Sequence, residues 1–153
     1  MNSTNNSINN FISKTGATNR DYFILDTKRK EKKFKDVDFK TYEYDTMHNN
    51  KLEPNAVFLY RKHSKDGKFV IYGGGKISSI SKPKGSTKAT ASITNGFKFS
   101  PPIKQGDKFI ETFKWNSKVK GKDWRNFWTQ YGITKINKED FFGLAKHQNC
   151  IKP

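Results

Sequence analysis

The sequence is short of the residues that build disulfides and most metal sites. Cys150 is its single cysteine, so no internal disulfide can form. Its three histidines, His48, His63 and His147, lie far apart, with no second cysteine or acidic residue at ligand spacing. We therefore expect neither a structural metal nor another cofactor.

Long apolar runs are also absent, since no stretch approaches the roughly 18 residues of a membrane-spanning helix. Residues 1–20 lack the charged, apolar and small-residue regions of a secretory signal, and their Asn, Ser and Thr content predicts a disordered leader. The sequence thus predicts no membrane partner and a cytoplasmic location.

Acidic residues are few relative to basic ones. Thirty Lys and Arg against 14 Asp and Glu give a net charge of +16. Such an excess creates a positive surface potential, and the commonest polyanions of a cell are nucleic acids. Nucleic acid is therefore the predicted partner. The alternative is that this chain is a basic accessory protein that binds acidic partners through charge alone.

Three consecutive glycines, residues 73–75, precede Lys76 and raise the question of a phosphate-binding loop. Such a loop needs two glycines five apart, followed by Lys and Ser or Thr. Here Gly67 is followed five places later by Tyr72, and residues 77–80 have the composition of a strand. The pattern therefore argues against a nucleotide loop.

The sequence around the glycines is typical of a β-hairpin. Residues 57–60 and 69–72 are apolar and β-prone, and the Asp66-Gly67 pair between them is a turn signal. The glycines then lie in or at the end of the second strand. There they permit a bulge, a sharp corner or the close approach of another backbone.

The remaining pattern predicts a compact barrel-like α+β domain over residues 21–146, with four to seven short strands, two or three small helices and a tail over residues 147–153. Strands are expected over residues 21–27, 41–47 and 90–103, helices over residues 122–131 and 137–146, and either state over residues 107–115. We expect the strand at 90–103 to be interrupted at Asn95-Gly96 and stopped by Pro101-Pro102.

No catalytic motif stands out. The Asp/Glu-x-Lys pattern of metal-dependent nucleases occurs at Asp26, Glu31, Asp38 and Asp66, which is what chance gives in a chain so rich in lysine. No Ser-His-Asp or Cys-His arrangement is evident. We expect this chain alone to lack catalysis, with a small metal-dependent nuclease as the enzymatic alternative.

Aromatic residues interleaved with basic ones favour nucleic-acid binding. Tyr42 and Tyr44 share one face of a predicted strand, and Trp115 precedes a polar loop, as residues at the rim of a pocket would. Stacking of a base on an aromatic ring contributes about 1–3 kcal/mol. For any single aromatic residue, packing in the core is the commoner role.

The order of segments resembles the PUA-like superfamily, and within it the EVE-type domains at the N-terminus of modification-dependent HNH restriction endonucleases. The matching segments are "DYFILDT", "LEPNAVFLYRKHSKDGKFVIYGGGKISSI", "TASITNGFKFSPPI" and "YGITKINKEDFFGL". Together they span most of residues 21–144.

This resemblance implies a small curved β-barrel that binds DNA and holds a flipped, modified cytosine in an aromatic pocket. Tyr42, Tyr44 and Trp115 would be the stacking walls, and Asp45 and His48 would contact the base edge. The implied phosphate-binding residues are Lys28, Arg29, Arg61, Lys62, Lys82, Lys84 and Lys88.

The HNH nuclease half has no counterpart in this sequence. The resemblance therefore implies the recognition module of a modification-dependent restriction system, either as a fragment beside a nuclease domain or as a separate subunit beside a nuclease partner; a relative with another task is the alternative. An RNA-binding PUA-like domain is the alternative binding module.

Overall fold

The computed structural model describes residues 7–13, 20–27, 36–46, 52–116 and 132–153. The helices are a 3-10 turn (Ile8–Asn10), α1 (Lys108–Glu111) and α2 (Lys138–Ala145). The strands are β1 (Tyr22–Asp26), β2 (Thr41–Asp45), β3 (Val57–His63), β4 (Phe69–Ser81), β5 (Lys88–Lys104), β6 (Ile133–Ile136) and β7 (Cys150–Ile151). The helix predicted at 122–131 and three predicted site residues, Lys28, Arg29 and His48, lie outside the described residues.

The strands form one mixed sheet that curls into a half-barrel. Their order is β2-β5-β4-β3-β1-β6, and β7 pairs with β5. β1 and β3 run parallel, whereas the other pairs are antiparallel. The predicted α+β class is confirmed, as are the strand at 21–27 and the hairpin of β3 and β4. The ambiguous segment at 107–115 contains the short helix α1.

Both faces of the sheet are covered by apolar residues. Alternation along β1 sends Tyr22 and Ile24 to one face and Phe23 and Leu25 to the other. The first face, here called the helix face, packs against α2 and the 3-10 turn. The second, the tyrosine face, gathers the buried rings of Tyr42, Tyr44, Tyr60 and Tyr72. Burial on both sides explains why β1 is apolar at successive positions.

The three glycines lie within β4, where the neighbouring strands come very close. A Cβ atom at Gly73 would meet the carbonyl oxygen of Phe97, and one at Gly74 would meet that of Phe58. The pairing register between β4 and β5 shifts twice along this stretch. The predicted bulge and close backbone approach are confirmed, and protein atoms fill the space beside the glycines.

The predicted stop at the two prolines is wrong, because β5 continues to Lys104. The Ser100–Pro101 peptide bond is cis. β5 pairs with β7 at Lys98 and Phe99 and with β4 again at Ile103. The paired positions skip Pro101 and Pro102, so neither proline has to donate a ladder hydrogen bond.

Short segments near the two ends of the chain, within the predicted leader and tail, pack on the sheet or pair with it. Ile8 and Ile12 are buried against the helix face, because these two apolar residues lie four apart in a polar segment and share one side of a turn. Near the other end, Cys150 pairs with Phe99 of β5.

The last predicted helix is confirmed. Asn137 caps α2 by accepting a hydrogen bond from the Asp140 amide at 2.9 Å, and Phe141 and Leu144 point into the core. Within the part of the chain that the structure describes, no helix has the length and apolar character needed to cross a membrane.

Candidate nucleic-acid interface

Tyr42 and Tyr44 lie inside the half-barrel. Their side chains are 0% and 2% exposed, and their rings pack on each other with centroids 6.4 Å apart. The Tyr42 hydroxyl donates to the carbonyl oxygens of Asp26 at 2.9 Å and Gly132 at 3.3 Å. Burial raises the pKa of Tyr44. The strand pattern places both rings on one face, as predicted, but the two rings on that face are buried and not accessible to a ligand.

Trp115, the third predicted wall of the pocket, packs on the helix face. It is half-buried and meets the ring of Phe113 edge-on, with centroids 4.9 Å apart. Because Tyr42 and Tyr44 belong to the tyrosine face, the structure does not bring the three predicted walls together. Asp45 is half-buried at the end of β2, opposite Lys88 of β5.

Arg61 was predicted to bind phosphate, and the structure corrects this. It is 1% exposed, and its guanidinium makes a two-pronged ion pair with the Asp26 carboxylate, Nη2 to Oδ2 at 2.6 Å. The same group lies 4.3 Å from the centre of the Phe69 ring. Burial lowers the pKa of Arg61 to about 8, and the Asp26 carboxylate opposes that shift. Arg61 is a structural cation that ties β3 to β1.

Lys62, the next residue, is half-buried and turned toward the tyrosine face. Its ammonium lies 4.5 Å from the centre of the Tyr72 ring. A cation in contact with an aromatic face is stabilised by about 0.5–1 kcal/mol at such partly exposed sites. The Lys62 ammonium is therefore already in a stabilising contact within the protein.

Sequence reasoning missed a hydroxyl cluster at the edge of the tyrosine face. Tyr60 and Tyr72 stack with centroids 5.2 Å apart and planes 7° apart. The Tyr72 hydroxyl shares a 2.6 Å hydrogen bond with Thr27 and donates to the Asp38 carboxylate at 3.3 Å. Burial raises the pKa of both tyrosines, so both stay neutral. The signal in the sequence was a tyrosine that follows three apolar residues in each strand of the hairpin, at residues 57–60 and 69–72.

Phe39 closes the space beside this cluster. Its backbone has φ +66°, unusual for an aromatic residue, and its amide donates to the Tyr60 hydroxyl at 2.9 Å. The ring lies over Gly73 and Gly96, where added Cβ atoms would come within 3.3 Å and 3.1 Å of it. Because neither glycine has a side chain, the Phe39 ring can pack directly against the backbone at both positions.

Charged residues are distributed unevenly along the chain, and every charged residue of the β4–β5 hairpin is basic. Residues 67–106 contain no Asp or Glu and seven lysines, which are Lys68, Lys76, Lys82, Lys84, Lys88, Lys98 and Lys104. Lys82 and Lys84 are exposed in the turn between the two strands. Lys88 is half-buried, with its ammonium 4.0 Å from the Glu43 carboxylate. Residues 73–96 also contain no aromatic ring.

An open surface depression of about 500 Å³ lies elsewhere, between the 3-10 turn, β5 and the C-terminal residues. It is lined by Asn10, Phe11, Asn95, Gly96, Lys152 and Pro153. None of the predicted pocket or phosphate residues contributes to it.

No group of three or more His, Cys, Asp or Glu side chains is placed to hold a metal ion in the described ranges. Of the carboxylates considered for a nuclease, Asp26 is engaged by Arg61, and Glu31 lies outside those ranges. Comparisons with family models, with curated proteins and with solved structures found no match for this chain.

Proposed function

We propose that this chain is a nucleic-acid-binding module that uses the basic surface of its β4–β5 hairpin. The observation that carries the proposal is the segregation of charge: seven lysines and no acidic residue over residues 67–106. Those residues form the longest strands among the described elements, and their turn exposes Lys82 and Lys84.

Lysine ammonium groups on flexible stems suit phosphates, which they meet as point charges without reading sequence. Each neutralised phosphate releases counterions, so the logarithm of affinity falls with the logarithm of salt concentration by about 0.9 per contact on duplex DNA. Three to five contacts would give a slope of roughly −3 to −4.5.

We further propose that the module reads a modified cytosine in DNA, as the resemblance to EVE-type PUA-like domains implies. A curled sheet with an aromatic interior supports this proposal. Because Tyr42, Tyr44 and Tyr60 are all buried, the base would have to meet the edge of the tyrosine face, where the exposed Asp38 carboxylate accepts from the Tyr72 hydroxyl. Cleavage of the DNA would then fall to a partner domain or subunit.

Binding to matched oligonucleotides carrying cytosine, 5-methylcytosine, 5-hydroxymethylcytosine or N6-methyladenine, at several salt concentrations, tests both proposals. We expect affinity to fall steeply with salt and to be higher for a modified cytosine. An affinity that does not depend on salt would overturn nucleic-acid binding through the lysines. Equal affinity for all four DNAs would overturn base reading alone, and tighter binding to RNA of the same sequence would favour the RNA-binding alternative.

A further inference from the structure

We infer that the outer end of the β4–β5 hairpin, residues 78–92, docks on the phosphate backbone of duplex nucleic acid. This inference rests on the proposed function and adds the docking element and the form of the partner. Pairing of β3 with β4 begins at Val57 opposite Lys76, so the last residues of β4 extend past β3. We call residues 78–92 the hairpin end.

One face of the hairpin end is a row of hydroxyl groups. Ser79 lies opposite Ser92, and Ser81 lies opposite Thr90, so these side chains share a face of the sheet. On the other face, Ala89 and Ala91 are buried, which fixes the orientation of the strand. Serine and threonine hydroxyls are common donors to phosphate oxygens and complement the lysines of the turn.

Cations stand at the tip of this row. Lys82 and Lys84 are exposed in a turn whose Gly85 has φ +80°. Acidic residues of β2 lie beside β5, where Glu43 is opposite Thr90 and close to Lys88. A phosphate backbone would therefore follow the β4 side and the turn, away from β2.

The hairpin end suits a duplex better than a single strand. Proteins that bind single strands stack the bases on aromatic side chains, and residues 73–96 have none. Ammonium and hydroxyl groups instead contact the backbone, which a duplex presents continuously.

A pair of charge-matched variants tests the inference. K82E/K84E alters the hairpin end, and K65E/K138E alters two exposed lysines outside residues 67–106, one in the turn between β3 and β4 and one at the start of α2. Each Lys→Glu change alters the charge by 2, so both variants go from +16 to +12. A general electrostatic effect therefore acts on both, whereas a docking site is lost only in the first.

We expect K82E/K84E to weaken binding to a duplex by about tenfold more than K65E/K138E, which corresponds to loss of two phosphate contacts. We also expect the wild type to bind a duplex more tightly than either of its single strands. A second pair of variants, K82Q/K84Q and K65Q/K138Q, removes charge without reversing it and repeats the comparison should a reversal impair folding.

Each outcome has a distinct meaning. Equal losses in the two variants, or tighter binding of single strands, would overturn the hairpin end as the docking element while leaving nucleic-acid binding in place. A wild type that binds neither form would overturn the proposed function itself.

Discussion

The tyrosine face and the hairpin end both carry hydroxyl groups, which are bonded within the protein on the first and exposed to solvent on the second. On the tyrosine face, the hydroxyls of Tyr42, Tyr60 and Tyr72 hydrogen-bond to the protein, and the rings pack on each other. On the hairpin end, Ser79 and Ser81 are exposed beside lysines. The aromatic residues therefore hold the half-barrel together, and the hydroxyl and ammonium groups outside it remain available to a ligand.

The largest difference in the free energy of unfolding should appear between two variants in which Arg61 or Lys62 is changed to methionine. Removing Arg61 breaks its ion pair with the half-buried Asp26 carboxylate, which should lower the free energy of unfolding by about 3 kcal/mol. Lys62→Met should cost no more than about 1 kcal/mol. Urea unfolding of both variants measures this, and similar losses would contradict the structural role given to Arg61.

The glycine stretch gives the next largest effect. Gly74→Ala places a methyl group against the carbonyl oxygen of Phe58 and should destabilise the fold by about 3 kcal/mol. Gly85→Ala is the control: its added methyl meets nothing within 4 Å, so only its positive φ costs about 1–2 kcal/mol. If both variants unfold at the same urea concentration, close strand approach does not explain the glycines.

Alkaline pH should unfold the protein through the tyrosine face. Burial raises the pKa of Tyr60 and Tyr72, so their contribution to stability is complete below the unfolded value of about 10 and is lost as the pH rises above it. The loss should be about 1.4 kcal/mol per tyrosine for each pH unit above 10.

Urea midpoints measured across this range, together with the absorbance of ionised tyrosine, check that expectation. Tyr72→Phe should make the decline shallower, since one of the buried phenols is gone. A decline as steep as that of the wild type would show that this ring does not govern the transition.

The smallest effect concerns base reading. Asp38→Asn changes the carboxylate that accepts from Tyr72 and should reduce the preference for a modified cytosine by about threefold, the scale of one hydrogen bond. Trp115→Ala, on the helix face, should leave that preference unchanged. The opposite pattern in binding competition would restore Trp115 as a pocket wall.

Local patterns predicted much of the sheet, and long-range pairing decided the rest. Apolar β-prone runs and the Asp66-Gly67 turn indicated the strands β3 and β4 correctly. By contrast, nothing local distinguishes Arg61 from Lys62. The ion pair of Arg61 depends on the parallel register of β1 and β3, which aligns it with Asp26.

The same limit applies to the predicted pocket. Alternation placed Tyr42 and Tyr44 on one face, but which face is closed depends on how the whole sheet curls. Pairing also overrode the stop predicted at Pro101, because the chain passes it where the register between β5 and its neighbours is irregular.

Hydrogen exchange of the backbone amides, with and without duplex DNA, tests most directly whether nucleic acid meets the hairpin end. We predict that the duplex slows exchange within residues 78–92 and leaves β1 and β2 unchanged. Slower exchange confined to β1 and β2, with none in residues 78–92, would contradict the account.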